Sequence, residues 1–227
     1  MPRVLITGAS DGIGRALVDV YATRGWEVLA TGRRPQADIV DPLPRSCTYV
    51  AADLAISMDP LIDALPDELD LVILNAGVGK VAAPEAHSSR DIADMVALNT
   101  TAPLLLAHAL YETLLASNGT LAFIGSTAAK GAHKDFSVYA ATKAALAGAQ
   151  RSLKLEWQGK VPVLMIHPGP TATGMHDKAG LGKIAIRRFF TPPKTVAKEI
   201  AKAIERQRDA SFGLLFMLRH ALWRPRP

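Results

Sequence analysis

The chain has 227 residues, 49% of them hydrophobic and 21% charged, with a formal net charge of +5 at pH 7. That length buries a large core without disulfides or metals, and the composition excludes a disordered chain. The mild basic excess is scattered and comes with no nucleic-acid motif, so nucleic acid is set aside as a partner, and the lone Cys47 excludes an internal disulfide and suits a reducing compartment.

Met-Pro-Arg runs straight into an apolar stretch at 4–6, which leaves no room for a signal peptide and makes a cytoplasmic location the expectation. That stretch reads as a strand. It leads into Thr7-Gly8-Ala9-Ser10-Asp11-Gly12-Ile13-Gly14, and a helical pattern follows over 15–24. Strand, glycine turn and helix in that order suit a pyrophosphate, because glycines let the backbone approach a ligand and a helix N-terminus favours an anion. The spacing is Gly-x-x-x-Gly-x-Gly rather than the usual Gly-x-Gly-x-x-Gly. A second strand over 27–30 ends at Thr31-Gly32-Arg33-Arg34, the place where an acidic residue would take the ribose hydroxyls of NAD. No carboxylate follows that strand. Two arginines do, and a guanidinium fork suits a 2′-phosphate, whereas Arg15 reads as the start of the helix. Pro35, Pro42 and Pro44 leave little room for a crossover helix before a third strand at 48–51. Asp53 then either meets an adenine edge or caps a turn.

Residues 57–65 read as helix, and the apolar run 69–74 as a strand buried on both faces, ending in Asn75-Ala76-Gly77. A strand end of that kind is a wall for a ligand. The helical stretch 90–115 contains Pro103, which predicts a break near Asn99. A fifth strand over 120–124 delivers Ser126, and a loop leads to a helix bearing Tyr139 and Lys143. Four residues apart, those two side chains stand on one helix face. A tyrosine is a poor acid, with a reference pKa of about 10, but an ammonium beside it stabilises the phenolate, and Ser126 offers a second donor. Small residues over 140–149 permit close approach by another element, such as a second subunit. A sixth strand at 163–166 precedes Pro168-Gly169-Pro170-Thr171-Ala172-Thr173. The stretch 174–193 is either a cover over substrate or a surface insertion, and 195–208 is a helix with Val196, Ile200 and Ile204 on one face. The apolar run 212–218 is far short of the roughly 20 residues that span a bilayer. It reads as a last strand or helix of the core, with a membrane-surface role for the Arg-rich end as the minority reading.

With these stretches in order, the chain resembles the short-chain dehydrogenase/reductase family from Thr7 to about Thr173. The resemblance implies an α/β fold, a single Rossmann-type doubly wound parallel sheet with helices on both faces; the length suits one domain over 1–227, in which 174–193 is the possible cover. The resemblance also implies an oxidoreductase that uses a nicotinamide dinucleotide on a small-molecule carbonyl or alcohol, and Arg33 and Arg34 make NADP the expected cofactor. By the family's pattern Tyr139 is the general acid/base, Lys143 lowers its pKa and holds the nicotinamide ribose, Ser126 positions the carbonyl and Asn99 orders a proton-relay water. Cofactor contacts are expected from Gly8, Ser10, Gly12, Ile13 and Gly14, from Arg33 and Arg34, from Asp53 and Leu54, from Asn75, Ala76 and Gly77, from Tyr139 and Lys143, and from Pro168, Gly169, Thr171 and Thr173. No metal is implied, and the family habit is a homo-dimer or homo-tetramer. Leu74 stands where members often have a second asparagine, and beyond Thr173 the pattern says nothing firm. Two other readings stay open: a sugar-nucleotide epimerase or dehydratase, and a non-catalytic dinucleotide sensor.

Overall fold

In the computed structural model, which describes residues 1–174 and 190–213, the six apolar runs expected as strands are strands. They are β1 (Arg3–Thr7), β2 (Glu27–Gly32), β3 (Cys47–Ala51), β4 (Leu71–Leu74), β5 (Thr120–Ile124) and β6 (Val163–His167). A two-residue β7 (Ala210–Ser211) completes one parallel sheet of order β3-β2-β1-β4-β5-β6-β7. Period-two alternation then decides the layers. Val4, Ile6, Ile73, Ala122, Ile124 and Ile166 turn to one side, where α1 (Gly12–Thr23) and α7 (Pro193–Glu205) pack. The residues between them, Leu5, Val72, Leu121, Phe123 and Met165, turn to the other, onto α4 (Ala102–Ala109), α5 (Tyr111–Ala116) and α6 (Ser137–Glu156). The central strands, covered on both faces, are apolar over 4–6, 71–74, 121–124 and 163–166, as such burial requires.

The order reverses between β1 and β4, so the two neighbouring chains leave the sheet in opposite directions and open a crevice at their carboxyl ends. The glycine turn after β1 and Asn75-Ala76-Gly77 after β4 leave the sheet there.

Two expected helices come out differently, each for a local reason, and the β2–β3 connection lacks a crossover helix as its prolines predict. The one over 57–65 shrinks to α2 (Asp59–Ile62), because Pro66 has no N–H for the Ile62 carbonyl and its ring would clash there. Between β2 and β3 there is only a 3-10 turn, Gln36–Asp38. That connection is fastened instead by buried Arg15, which donates to the Asp41 carbonyl at 2.9 Å, to the Pro42 carbonyl and to the Asp19 carboxylate at 2.6 Å. Arg15 is thereby occupied in the fold. The stretch 90–115 is α3 (Ser89–Val96), a π turn (Ala97–Thr101), α4 and α5. Pro103 sits four residues after Asn99 and forces the widened turn there. Ser88 and Asp91 close the other end of α3 as a reciprocal capping box. By length and a mean hydropathy of 1.2, the run Ser89–Ala109 is apolar enough to cross a membrane, yet Met95, Ala102, Leu106 and Ala107 within it are buried under the sheet. Most of the expected cover at 174–193, namely 175–189, lies outside the described residues, as does 214–227.

Candidate active site

Thr7 ends β1 with a buried hydroxyl that accepts two main-chain N–H groups from the end of β4, Asn75 at 2.9 Å and Ala76 at 3.0 Å. Asn75 reciprocates: its Nδ2 donates to the carbonyls of Thr7 at 2.9 Å and Gly8 at 3.3 Å. The glycine turn leaves this knot through Gly8, whose φ of 67° is strained for any residue with a side chain. Gly14, in the first turn of α1, lies so close to the Gly8 carbonyl that a Cβ would collide with it. Asp11 caps α1 by accepting the Gly12 N–H at 2.7 Å. From the other side comes the segment after β6, where a Cβ on Gly12 would stand 3.0 Å from the Thr173 methyl. Thr171 is buried, donates to the Gly169 carbonyl at 2.9 Å and bridges to Thr191. These small residues form one continuous cradle at a helix N-terminus.

At the far end of the cradle, Asn99 is fully buried in the π turn. Its Oδ1 accepts the Val78 N–H at 2.8 Å, while its Nδ2 donates to the Val78 carbonyl at 2.8 Å and to Thr142 Oγ1 at 3.1 Å. Thr142 in turn donates to the Tyr139 carbonyl at 2.7 Å. The backbone of 77–79 is thus clamped against α6. A Cβ on Gly77 would lie 3.3 Å from Lys143 Nζ, and one on Gly79 would lie 3.3 Å from the Tyr139 ring. Lys143 is 4% exposed and donates to the Ile124 carbonyl at 3.1 Å. Ser126 Oγ accepts the Ala128 N–H at 3.1 Å, which caps a short 3-10 turn. The expected Ser126, Tyr139, Lys143 and Asn99 are therefore brought to one place, at the carboxyl ends of β4 and β5.

Burial dominates the titration of this group. It pushes the Lys143 ammonium down to about 8 and raises the Tyr139 phenol, against which the Ser126 hydroxyl acts by hydrogen-bonding the phenolate. A lysine that lowers the tyrosine's pKa was expected. In the chain itself the phenol's own burial raises that pKa, and Lys143 is turned to the Ile124 carbonyl.

The adenosine end also departs from expectation. A carboxylate does stand near the end of β2, brought there by the glycine turn: Asp11 Oδ2 is 3.1 Å from Arg34 Nη2. The Arg34 carbonyl accepts the Tyr49 hydroxyl at 2.8 Å, Ser10 hydrogen-bonds the same tyrosine, and Arg33 is exposed. Asp53 caps the turn after β3, with Oδ1 accepting the Ala55 N–H at 3.1 Å. Leu54 and Ile13 pack into the two core layers. Thr7 and Thr142 carry much of the site's geometry and were not singled out from the sequence. Thr7 had a signal, as the one polar residue closing an apolar strand before a glycine.

A family model described as short chain dehydrogenase matches residues 2–183. Among curated proteins the chain is 32% identical over 199 residues to an oxidoreductase of Escherichia coli K12, covering 78% of this chain and 76% of that one. It is 32% identical over 179 residues to serine 3-dehydrogenase of Agrobacterium fabrum, covering 75% and 72%. Among solved structures, a short chain dehydrogenase of Escherichia coli CFT073 complexed with NADPH superposes with a TM-score of 0.80 at 27% identity, over 93% of this chain and 95% of that one.

The Thr7 knot makes a test. Thr7→Val leaves the Ala76 N–H without an acceptor and should cost about 1–3 kcal/mol in denaturant unfolding, most of it recovered by Thr7→Ser. An unchanged unfolding midpoint in the valine variant would contradict the assignment.

Proposed function

The chain belongs to the short-chain dehydrogenase family, and from that membership we propose that it is an NADP-dependent oxidoreductase moving a hydride between a nicotinamide and a small carbonyl or alcohol. The observation that carries the proposal is the meeting of Ser126, Tyr139 and Lys143 beside the clamped backbone of 77–79. The cradle suits a dinucleotide, since Gly14 leaves no room for a side chain and the N-terminus of α1 favours a pyrophosphate. In this reading Gly8, Ser10, Gly12, Ile13 and Gly14 hold the pyrophosphate, Arg33 and Arg34 the 2′-phosphate, and Asp53 and Leu54 the adenine end. Asn75, Ala76 and Gly77 form one wall, and Pro168, Gly169, Thr171 and Thr173 the other. The bound nicotinamide supplies or takes the hydride.

The chain's own groups handle the oxygen. As a carbonyl carbon is reduced, its electron pair moves onto oxygen, and the Tyr139 hydroxyl gives that oxygen its proton to complete the alcohol; in oxidation the phenolate takes the proton back. Burial keeps Tyr139 protonated at neutral pH, which suits it as the acid of a reduction. Ser126 donates to the same oxygen, a bond that strengthens as charge grows there. Lys143, close to half-charged near pH 8, holds the nicotinamide ribose and restores the tyrosine's proton. Asn99 has its side chain filled by Val78 and Thr142, so a water-ordering role falls to its main-chain carbonyl, to which Pro103 offers no N–H. A reducing, cytoplasmic setting fits Cys47, whose thiol burial holds up at about 11.

Self-association belongs to the same reading. Leu104, Ala107, His108, Ser152, Leu153 and Trp157 line a groove between α4 and α6, and Leu105 and Leu155 beside them are 47% and 73% exposed.

Three measurements test this. A screen of ketones, aldehydes and alcohols, followed by nicotinamide absorbance, should find substrates that Tyr139→Phe no longer turns over although it binds NADPH as before. Near wild-type kcat in that variant would end the assignment of the acid, and NADPH binding with no turnover of any compound would favour the sensor. Alanine at Arg33 and Arg34 together should weaken NADPH roughly ten- to a hundredfold and leave NADH unchanged, because a charge-assisted bond to phosphate contributes about 1.5–3 kcal/mol. Equal losses for both cofactors would make the arginines mere surface. Light scattering at micromolar concentration should give the mass of a dimer or tetramer, and a monomer's mass would refute the assembly.

A further inference from the structure

We propose that His167 is a positioning residue for Ser126, holding the serine's main chain through its imidazole. The proposal rests on the reading of Ser126 as the donor to substrate oxygen. His167 is the last residue of β6 and is 7% exposed. Its Nδ1 lies 2.9 Å from the Ser126 carbonyl oxygen. A carbonyl only accepts, so Nδ1 carries the hydrogen. Burial, with Lys130 and Lys143 nearby, lowers the pKa of the ring against the opposing Ser126 bond and Asp209, and so favours the neutral tautomer.

The bond stands where the sheet runs out of donors. β5 and β6 pair in register up to Ile124 and Ile166, and Gly125 still donates to the Ile166 carbonyl at 2.8 Å. Pro168 has no N–H with which to continue the ladder. The ladder bond that Pro168 cannot make is the one to the Gly125 carbonyl; the imidazole donates to the next carbonyl, that of Ser126, and Thr127 donates to the Pro168 carbonyl at 3.1 Å. Gly125 is what admits the ring, since a Cβ there would stand 2.7 Å from Nδ1. The Ser126 carbonyl accepts Ala129 N–H at 3.1 Å as well, so both its lone pairs are used. On its other side His167 gives its own carbonyl to the Phe212 N–H at 2.9 Å. The imidazole thus ties the turn that carries the serine hydroxyl to a strand with no other role at the reacting atoms.

A histidine that merely fills space behaves differently on replacement. The test is a cycle of His167→Leu, Ser126→Ala and the double variant, with His167→Asn as the rescue because an amide N–H can stand where Nδ1–H stood. On a substrate found by the absorbance screen, His167→Leu should lower kcat about tenfold or more at unchanged NADPH Kd. The double variant should be no slower than Ser126→Ala alone, and His167→Asn should return most of the rate. A leucine variant as fast as wild type, an asparagine variant as slow as leucine, or additive losses would overturn the proposal. If Ser126→Ala itself kept full rate, the reading of the site would fail and take the proposal with it. The variants are also read without substrate, by ultraviolet titration of the phenols against a Tyr139→Phe background. His167→Leu should move the Tyr139 titration upward as Ser126→Ala does, and an unmoved titration overturns the proposal independently of any activity.

Discussion

The knot between Thr7 and Asn75 is the interaction on which the rest of the crevice depends. Two parallel strands that end side by side and then diverge must leave main-chain donors and acceptors without ladder partners, at a place too crowded for water to serve them all. One threonine hydroxyl takes two N–H groups and one carboxamide serves two carbonyls, so the divergence is satisfied with two side chains. On one side of the knot the glycine turn is then free to double back against Asn75. On the other, 77–79 is delivered to Asn99 and the face of α6. Both arms of the candidate site start from the same four hydrogen bonds.

A second constraint is the burial of Lys143. A desolvated ammonium is costly, and a single carbonyl bond offsets only part of that cost, so the group moves toward neutrality. The π turn and the amide of Asn99 hold the Gly77 backbone against it, and glycine is what makes the approach possible. A lysine in this state is suited to exchanging protons near neutral pH rather than to acting as a permanent charge.

The sheet was legible because each strand is a short apolar run bounded by turn residues, and strands covered on both faces need no finer pattern than that. The break at Asn99 was legible from Pro103, though not its form, since a π turn and a simple kink follow from the same missing N–H. What the sequence hid were partnerships between distant residues. Thr7 and Asn75 are 68 apart, Asn99 and Thr142 are 43 apart, and His167 and Ser126 are 41 apart. No local periodicity encodes them. The helix over 57–65 is cut short by Pro66, which lies outside the apolar pattern that suggested it.

Asp11 illustrates how a local reading can be right about residue types and wrong about a surface. The end of β2 lacks an acid of its own, yet the fold places the cap of α1 against Arg34. Both side chains are substantially exposed, and such a pair contributes about 0.2–1 kcal/mol, less than the roughly 1.5–3 kcal/mol of a charge-assisted bond to phosphate. In the proposed reading, a 2′-phosphate at this edge would therefore have only a weak partner to displace from Arg34. The carboxylate keeps its bond to the Gly12 N–H either way, so its charge stays directed into the helix it caps. In that reading the pair would hold the guanidinium near the glycine turn before phosphate arrives, which would lower the ordering entropy of binding.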